Sequence, residues 1–549
     1  METLRLYKNG SVLTMDENGC CEALLTRGGL IAGVGTLAQM RALAGGPCEE
    51  IDLAGGALLP GFIDGHSHFA QFAGSLCTAA LTACRSLDDV VRTLRDFAAE
   101  TALPADAWII GFGYDHNALA EHRHPDRTVL DAVSDTRCVL ISHASGHMGC
   151  LNSAALAALG ITAATPDPQG GHIGRGADGA PNGYLEENAF MQAAQRAPRP
   201  DTAQMLRAMR RAQDIYFSYG ITTAQEGLLK EPEDALLRGM AAAGELQLDV
   251  VGYADIAHCP QLAESAPHWT PADTAADVPA PPAYEGHYRV GGYKLFLDGS
   301  PQGRTAWLSQ PYTPEAGQSA DYRGYPVWPD EDVRRFVSRA AAEGRQLLTH
   351  CNGDAAAQQL LDAHAFVQEL RGGVPGIASR RNVIIHAQLL RVQQLPEVAA
   401  LGLMPSYFVA HTYYWGDVHL KNLGARRAGH ISPVASTARL GIPYTFHMDT
   451  PVLRPDALMC VQCAVLRRTR AGVPLAESEA VPVAEALRGV TVNGAYQYFE
   501  ERAKGTLAPG KAADLVQLAE NPLTADPERL AQIAVVRTMK GGETVYSAV

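Results

Sequence analysis

Leu58-Leu59-Pro60-Gly61-Phe62-Ile63-Asp64-Gly65-His66-Ser67-His68 carries an apolar run into two histidines set two residues apart. Side chains at i and i+2 of a β-strand share a face. Two imidazoles at a strand's end can therefore grip one divalent metal ion, for which neutral imidazole is a common ligand. A bare His-x-His pair is weak evidence by itself. This one follows a buried strand early in the chain, and further ligand-type residues close later strands.

From about residue 200 the chain alternates helix and strand signals. Asp201-Thr202-Ala203-Gln204 reads as a capping box, and Met205, Met209, Ala212, Tyr216 and Tyr219 form one helical stripe that stops at Gly220. Val333, Phe336, Val337 and Ala340 mark a second helix, ended by Gly344. Strands are expected at Ile221–Gln225, Leu248–Ala254, Tyr293–Leu297, Gln346–Thr349, Val383–Ile385, Leu403–Phe408 and Pro443–Phe446. Strands separated by helices pair in parallel through crossovers. With the strand before His66 the count is eight, so the expected fold class is α/β, a (β/α)8 TIM-like barrel. Chemistry in such barrels gathers at the C-terminal strand ends. Those ends carry His66 and His68, then Glu226, Lys294, His350, His386 and Asp449.

Residues 1–57 hold short apolar runs (Leu4–Tyr7, Ala23–Leu25, Leu30–Val34) divided by Asn9-Gly10, Asn18-Gly19 and Gly28-Gly29, the pattern of small antiparallel β-structure. Asp514–Leu518 and Ala534–Met539 repeat it near the end. The expectation is a small β-sandwich domain built from both termini, 1–57 with 505–549, around a barrel of residues 58–75 and 201–504. Residues 76–200 break the helix–strand rhythm and read as an insertion after the first barrel strand. Within it, Gly171–Arg175 and Asn182–Glu186 form a hairpin that turns at Asp178-Gly179. Pro260–Gly286 is a proline-rich loop, readable as a lid or as plain surface.

With 549 residues, 47% of them hydrophobic, the chain can bury a large core and a smaller one. Its formal charge of −14 is spread along the sequence, which favours a soluble protein and leaves no basic footprint for nucleic acid. No apolar run approaches membrane-spanning length, and the start lacks a secretory pattern. Eleven scattered cysteines fit reduced thiols in a cytoplasm, and Cys460-x-x-Cys463 reads as two packed thiols on a helix. A cytosolic enzyme acting on a small molecule is the expected class.

Each ligand-type residue has an ordinary reading as well. An isolated strand lysine pairs with a carboxylate or reaches out to water, because desolvating its ammonium is costly. His350 after Leu347-Leu348-Thr349, and His386 after Val383-Ile384-Ile385, could be hydrogen-bonded core histidines. Asp449 before Thr450-Pro451 could cap a turn. Spacing by one βα unit puts His350 and His386 at the barrel's mouth, which favours joint ligation, and the surrounding ligand set gives Lys294 and Asp449 the same reading.

Read together, these residues resemble the amidohydrolase superfamily, and more narrowly its "amidohydrolase 3" group, which includes N-substituted formamide deformylases. The likeness runs over nearly the whole chain. Leu59 to His68 matches the family's first metal motif, and Gly505-Thr-Leu-Ala-Pro-Gly-Lys-Ala-Ala-Asp514-Leu-Val its tail motif. Gly170-Gly171-His172-Ile173-Gly174-Arg175 and Gly146-His147…Leu151-Asn152-Ser153 resemble its inserted region. The resemblance implies two divalent metal ions, usually zinc. His66, His68 and Asp449 would hold one, His350 and His386 the other, and Lys294 would bridge them as a carbamate formed with carbon dioxide.

Where the family often has a small residue before its last aspartate, this chain has Phe446-His447-Met448-Asp449. His447 could donate a proton, contact substrate or orient Asp449. His147 is a candidate substrate contact, although Ser145 replaces the aspartate of that element. His411 and Tyr413 open an aromatic loop that could line a pocket or pack between loops. Glu226 could face substrate or form a salt bridge. His122-Arg-His124 precedes Pro125 without a buried strand and reads as a solvated loop.

The expected activity is hydrolysis of a non-peptide C–N bond in an amide, formamide or N-acyl amine, with Asp449 moving the proton. The alternatives are a deaminase of the same superfamily, acting on an aminated heterocycle, and a non-enzymatic scaffold that kept the barrel. Deaminases there carry His-x-x-Glu after the fifth strand, whereas this chain reads His350-Cys-Asn-Gly-Asp354. No nucleic-acid or membrane partner is expected; a homodimer is the assembly considered.

Overall fold

In the computed structural model, residues 3–116, 118–143, 147–267, 283–314, 319–370 and 380–548 are described. They fall into two compact units, Met1–Ala70 with Ala212–Val549, and Gln71–Arg211. Most of the proline-rich loop, residues 268–282, and Ser145 lie outside the described residues.

The first unit contains an eight-stranded parallel sheet: β1 Phe62–Ile63, β2 Ile221–Leu229, β3 Asp249–Asp255, β4 Tyr288–Phe296, β5 Gln346–Cys351, β6 Val383–His386, β7 Met404–Tyr407 and β8 Thr445–Phe446. Its spatial order follows the chain order. The edges curl together. Gly65 donates its N–H to the Phe446 carbonyl at 3.2 Å. The Gln497 amide bridges the same seam, donating to the Gly65 carbonyl and accepting from the Thr445 hydroxyl, both at 2.7 Å. Ile63, Val251, Tyr253, Leu348, Val383, Ile385, Met404, Ala495 and Tyr498 fill one apolar cluster, so the barrel is a packed core. The fold is a TIM-like barrel with additional β-structure.

Between the strands the expected helices form where their stripes lie. Asp201 and Gln204 cap Thr202–Ser218 reciprocally, with side-chain to backbone bonds of 2.7 and 2.8 Å. Met209, Ala212 and Tyr216 are buried, and Gly220 ends the turn at φ +77°. Asp330–Ala342 buries Val333, Phe336, Val337 and Ala340 in the same way.

The apolar run before His66 is two strands rather than one. Ala57–Pro60 pairs antiparallel with Leu515–Leu518, while β1 joins the barrel. Gly61 makes the step between them, because a side chain there would meet the Thr222 hydroxyl at 2.5 Å. Ala57–Pro60 belongs to a six-stranded sheet with Val535–Lys540 and Glu543–Ser547. A four-stranded sheet holds Leu4–Lys8, Ala23–Arg27, Leu30–Gly35 and Glu49–Asp52. Tyr7, Leu24 and Ile51 pack with Leu58, Leu515 and Met539 in one core between the sheets.

The Gln71–Arg211 unit carries its own six-stranded sheet. The hairpin Gly171–Arg175 with Pro181–Glu187 is at one edge, turning where Gly176 N–H bonds the Ala180 carbonyl. Among the described residues of both units, no helix is long and apolar enough to cross a membrane.

Candidate metal centre

His66 and His68 lie past the end of β1, in irregular backbone, so strand alternation is not what points them together. Local bonds do it. The His66 N–H reaches the Asp64 carboxylate at 3.2 Å, and the His68 N–H reaches the Thr450 carbonyl at 2.8 Å. Their rings sit 5.0 Å apart. Asp449, just beyond β8, sets Oδ1 at 3.5 Å from His66 Nε2 and 3.4 Å from His68 Nε2. These three side chains offer ligand atoms within 4.8 Å of one another.

The other expected ligands join this group through its members. Lys294, inside β4 and completely buried, places Nζ at 3.2 Å from His66 Nε2. His386, the last residue of β6, has Nε2 4.0 Å from Asp449 Oδ2. His350, in β5, stacks edge-on against His386 with ring centroids 4.5 Å apart. Two of these residues sit in the left-handed backbone region, His386 at φ 72° and Asp449 at φ 52°. Such conformations cost of order 1–3 kcal/mol each and persist where surrounding structure imposes them.

Burial sets the charges. It drives His66 and His386 well below the usual imidazole value, so both rings are neutral with lone pairs to offer. Burial also lowers the Lys294 amine to about 7, against the pull of Asp449. It opposes ionisation of Asp449, but the His386, His68 and His66 rings outweigh it and hold the carboxylate below its ordinary range.

Hydrogen bonds behind these side chains decide which ring nitrogen faces the cavity. His66 Nδ1 lies 2.5 Å from the Gln225 side-chain oxygen Oε1, so its N–H points backward and Nε2 is free to ligate. Gln225 is fixed in turn by the Gly65 carbonyl and the Tyr498 hydroxyl. His386 Nδ1 is 3.0 Å from His447 Nε2, and His447 Nδ1 is 2.8 Å from Ser406 Oγ. With His386 presenting Nε2, the protons run His386 to His447 to Ser406. His447 thus stands behind His386 with both ring nitrogens engaged; burial lowers it to about 3. Asp298 Oδ1 is 3.3 Å from His350 Nδ1 and accepts backbone N–H bonds from Asn352 and, through Oδ2, from Trp307 and Gly353.

The remaining candidates lie further out. Glu226 falls within β2, accepts the Ala70 N–H at 2.7 Å and lies 3.9 Å from His68 Nδ1; burial raises it to about 7. His411 is buried against Phe408 and Trp415, with its Nδ1 3.1 Å from His419 Nε2. Tyr413 packs edge-on against Tyr414. His147 belongs to the Gln71–Arg211 unit, is 64% exposed, and faces the Glu187 carboxylate at 3.1 Å. Sequence reasoning missed Gln225, Ser406, Asp298 and His419. Gln225, the last residue of one expected strand, and Asp298, just past the end of another, had a positional signal.

Imidazole nitrogens with a carboxylate oxygen form the donor set of zinc and similar divalent ions. Ligand bonds of ~2.0–2.2 Å in tetrahedral geometry set donor atoms roughly 3.3–3.6 Å apart. The spacings of His66 and His68 Nε2 from Asp449 Oδ1 meet that figure, and Asp449 Oδ1 is buried without a hydrogen bond among the described residues. The residues fit such an ion.

A parallel barrel with this cluster at its strand ends defines, by class, a barrel enzyme with a metal-ligand type centre. The model of the amidohydrolase family matches residues 49–546. The chain is 29% identical to the Bacillus subtilis (strain 168) protein YtcJ, named as an amidohydrolase, over 98% of this chain and 99% of that one. It is 28% identical to the N-substituted formamide deformylase of Arthrobacter pascens, over 98% and 97%. Among solved structures, an uncharacterized metal-dependent hydrolase from Pyrococcus furiosus shares the fold, with a TM-score of 0.72 and 22% identity, covering 95% of this chain and 100% of that one. The chain belongs to the amidohydrolase family and is accordingly a hydrolase.

Proposed function

We propose that the protein is a metal-dependent hydrolase of a non-peptide C–N bond in an amide, formamide or N-acyl amine. The observation that carries this reading is the meeting of His66, His68 and Asp449 beside the buried Lys294. The deformylase relative, named for N-substituted formamides, supports the bond type.

His66, His68 and Asp449 would hold one ion, His350 and His386 a second, and Lys294 would bridge them. An ammonium 3.2 Å from a ligating nitrogen would repel a cation. A carbamate removes the conflict: the neutral amine forms an N–C bond with carbon dioxide, releases one proton, and presents two oxygens that share one negative charge. When bound, divalent ions polarise the substrate carbonyl and lower the pKa of water, with zinc the expected species. Asp449 takes the proton of the attacking water on its carboxylate and returns it to the departing nitrogen. Gln225 and His447 hold the rings of His66 and His386 in position. Phe408, His411 and Trp415 pack together beside His386 and would offer an aromatic wall to an apolar substituent.

The deaminase alternative is less well supported. Asp354, nearest to its missing glutamate, is occupied by the Ser309 N–H at 2.9 Å and by Arg391 at 3.2 Å. All eleven cysteines are free, which supports a reducing, cytoplasmic setting. A screen of formamides, N-acyl amines, cyclic amides and aminated heterocycles with zinc- and bicarbonate-loaded enzyme tests the reading. Amide or formamide cleavage is expected; ammonia release from heterocycles without amide turnover would reverse it.

A further inference from the structure

Three histidines and an aspartate gather in the Gln71–Arg211 unit, at one edge of its sheet. Strands Ile109–Tyr114 and Val139–His143 are parallel neighbours, with Tyr114 opposite His143. Parallel register ends both strands at the same edge. Asp115 and His116, just past one end, therefore meet His143 at the other. His116 Nδ1 is 3.3 Å from His143 Nε2, and Asp115 Oδ1 is 3.7 Å from His143 Nε2 and 3.9 Å from His116 Nδ1.

We propose that Asp115, His116 and His143 bind a divalent transition-metal ion of the zinc type, in a site built wholly from this unit. A neutral hydrogen bond between the two imidazoles would explain the 3.3 Å contact alone. The Asp115 carboxylate oxygen also faces both of those nitrogens, at 3.7 and 3.9 Å, so the three ligand-type atoms converge on one point. A shared ion accounts for all three spacings, because the ligands of one tetrahedral centre lie roughly 3.3–3.6 Å apart and close up slightly on binding. Two imidazoles and a carboxylate are a three-ligand set that leaves a fourth position for water or an anion.

The surroundings hold the donors ready. His124 stacks on His116 with centroids 4.0 Å apart, and its Nδ1 pairs with the Tyr114 hydroxyl at 3.0 Å. That fixes the plane of the His116 ring. Burial, with His116 close by, lowers both His124, to about 4, and His143. Neutral rings tolerate this crowding and keep lone pairs for a cation. An ion here would tie together the ends of two adjacent strands. The expectation that His124 is simply solvated gives way to a half-buried ring supporting its neighbour.

Zinc binding to the full chain, measured by equilibrium dialysis with elemental analysis, tests the site. The His116→Gln/His143→Gln variant should lose one equivalent relative to wild type. Asp115→Asn, at a half-exposed position that should not disturb folding, should weaken that equivalent by on the order of tenfold or more, since even outer-shell groups matter that much. His66→Asn/His68→Asn should keep it, which separates this site from the barrel centre. Cobalt loaded at the site should add a tetrahedral visible absorption band that His116→Gln/His143→Gln removes. If both variants retain wild-type circular dichroism and bind as much zinc as wild type, the proposal is overturned.

Discussion

Asp449 reaches His66, His68 and His386 from a backbone position that few non-glycine residues adopt, φ 52°, and its Oδ1 accepts no hydrogen bond among the described residues. A carboxylate so held is placed for a ligand and a proton. Asp449→Asn should preserve the fold and cut kcat by roughly 10²–10⁴-fold, the usual span for a general acid–base group. Stopped-flow or steady-state rates on metal-loaded protein check it; near-normal kcat would refute the proton role. His447 acts one step back. His447→Leu should release His386 Nδ1 and weaken metal affinity by roughly 10–100-fold, while His447→Gln, which can still accept that N–H, should recover part of it. An unchanged affinity in the leucine variant would remove His447 from the site. Lys294, His350 and His386 were legible in the sequence because lysine and histidine are conspicuous inside apolar strands. Gln225 and Ser406 were not: an amide or hydroxyl in a strand looks alike whether it holds a ligand or simply satisfies the backbone.

The strands set these distances. β4 was expected from Tyr293 but starts at Tyr288, because Gly291-Gly292 reads as a break in one dimension. In the sheet those glycines admit close neighbours: a side chain on Gly292 would meet the Gln346 carbonyl at 2.3 Å. Gly227, within β2, has a more direct link to the centre, since an added Cβ would lie 2.3 Å from His66 Cε1. Gly227→Ala should displace that ring and lower metal content and turnover together, with the melting temperature falling only a few degrees. Full metal occupancy in Gly227→Ala would show that the ring has room to move. The β1 boundary was hidden for a related reason. Leu58 to Ile63 is continuously apolar, and apolar continuity does not reveal that Gly61 passes the chain from one sheet to another.

At the scale of the unit formed by Met1–Ala70 and Ala212–Val549, the C-terminal segment is locked to the barrel through buried charge. Asp249, at the start of β3, is buried between Lys504 and Lys540, with His287 Nδ1 at 2.7 Å; Lys540 also pairs with Asp514 at 2.6 Å. Burial alone would raise the Asp249 carboxylate, but Lys504 and Lys540 hold it well below its ordinary value. A depressed carboxylate stabilises the fold above its unfolded pKa of about 3.9, and that contribution is lost as pH falls through the lower folded value. Thermal unfolding should show this contribution flat between neutral pH and about 5, then declining below about 4. Asp249→Asn should cost up to about 3 kcal/mol at neutral pH, because it removes the carboxylate shared by two buried lysines while Lys504 keeps Glu500 and Lys540 keeps Asp514, and it should flatten the acid slope. An unchanged acid slope would assign that loss to other groups. The terminal pairing was legible from short turn-divided strands at both ends, whereas this charge lock was not, because Asp249, Lys504 and Lys540 are far apart in sequence and each reads as surface.

The central claim is that side chains from six points of the barrel converge on divalent cations. Anomalous diffraction at the zinc edge, from crystals of zinc- and bicarbonate-loaded protein, tests it most directly. Two peaks are predicted, one within bonding distance of His66, His68 and Asp449 and one of His350 and His386, joined by density beyond Lys294 Nζ. Zinc peaks elsewhere only, with the barrel mouth empty and Lys294 a bare amine, would contradict it.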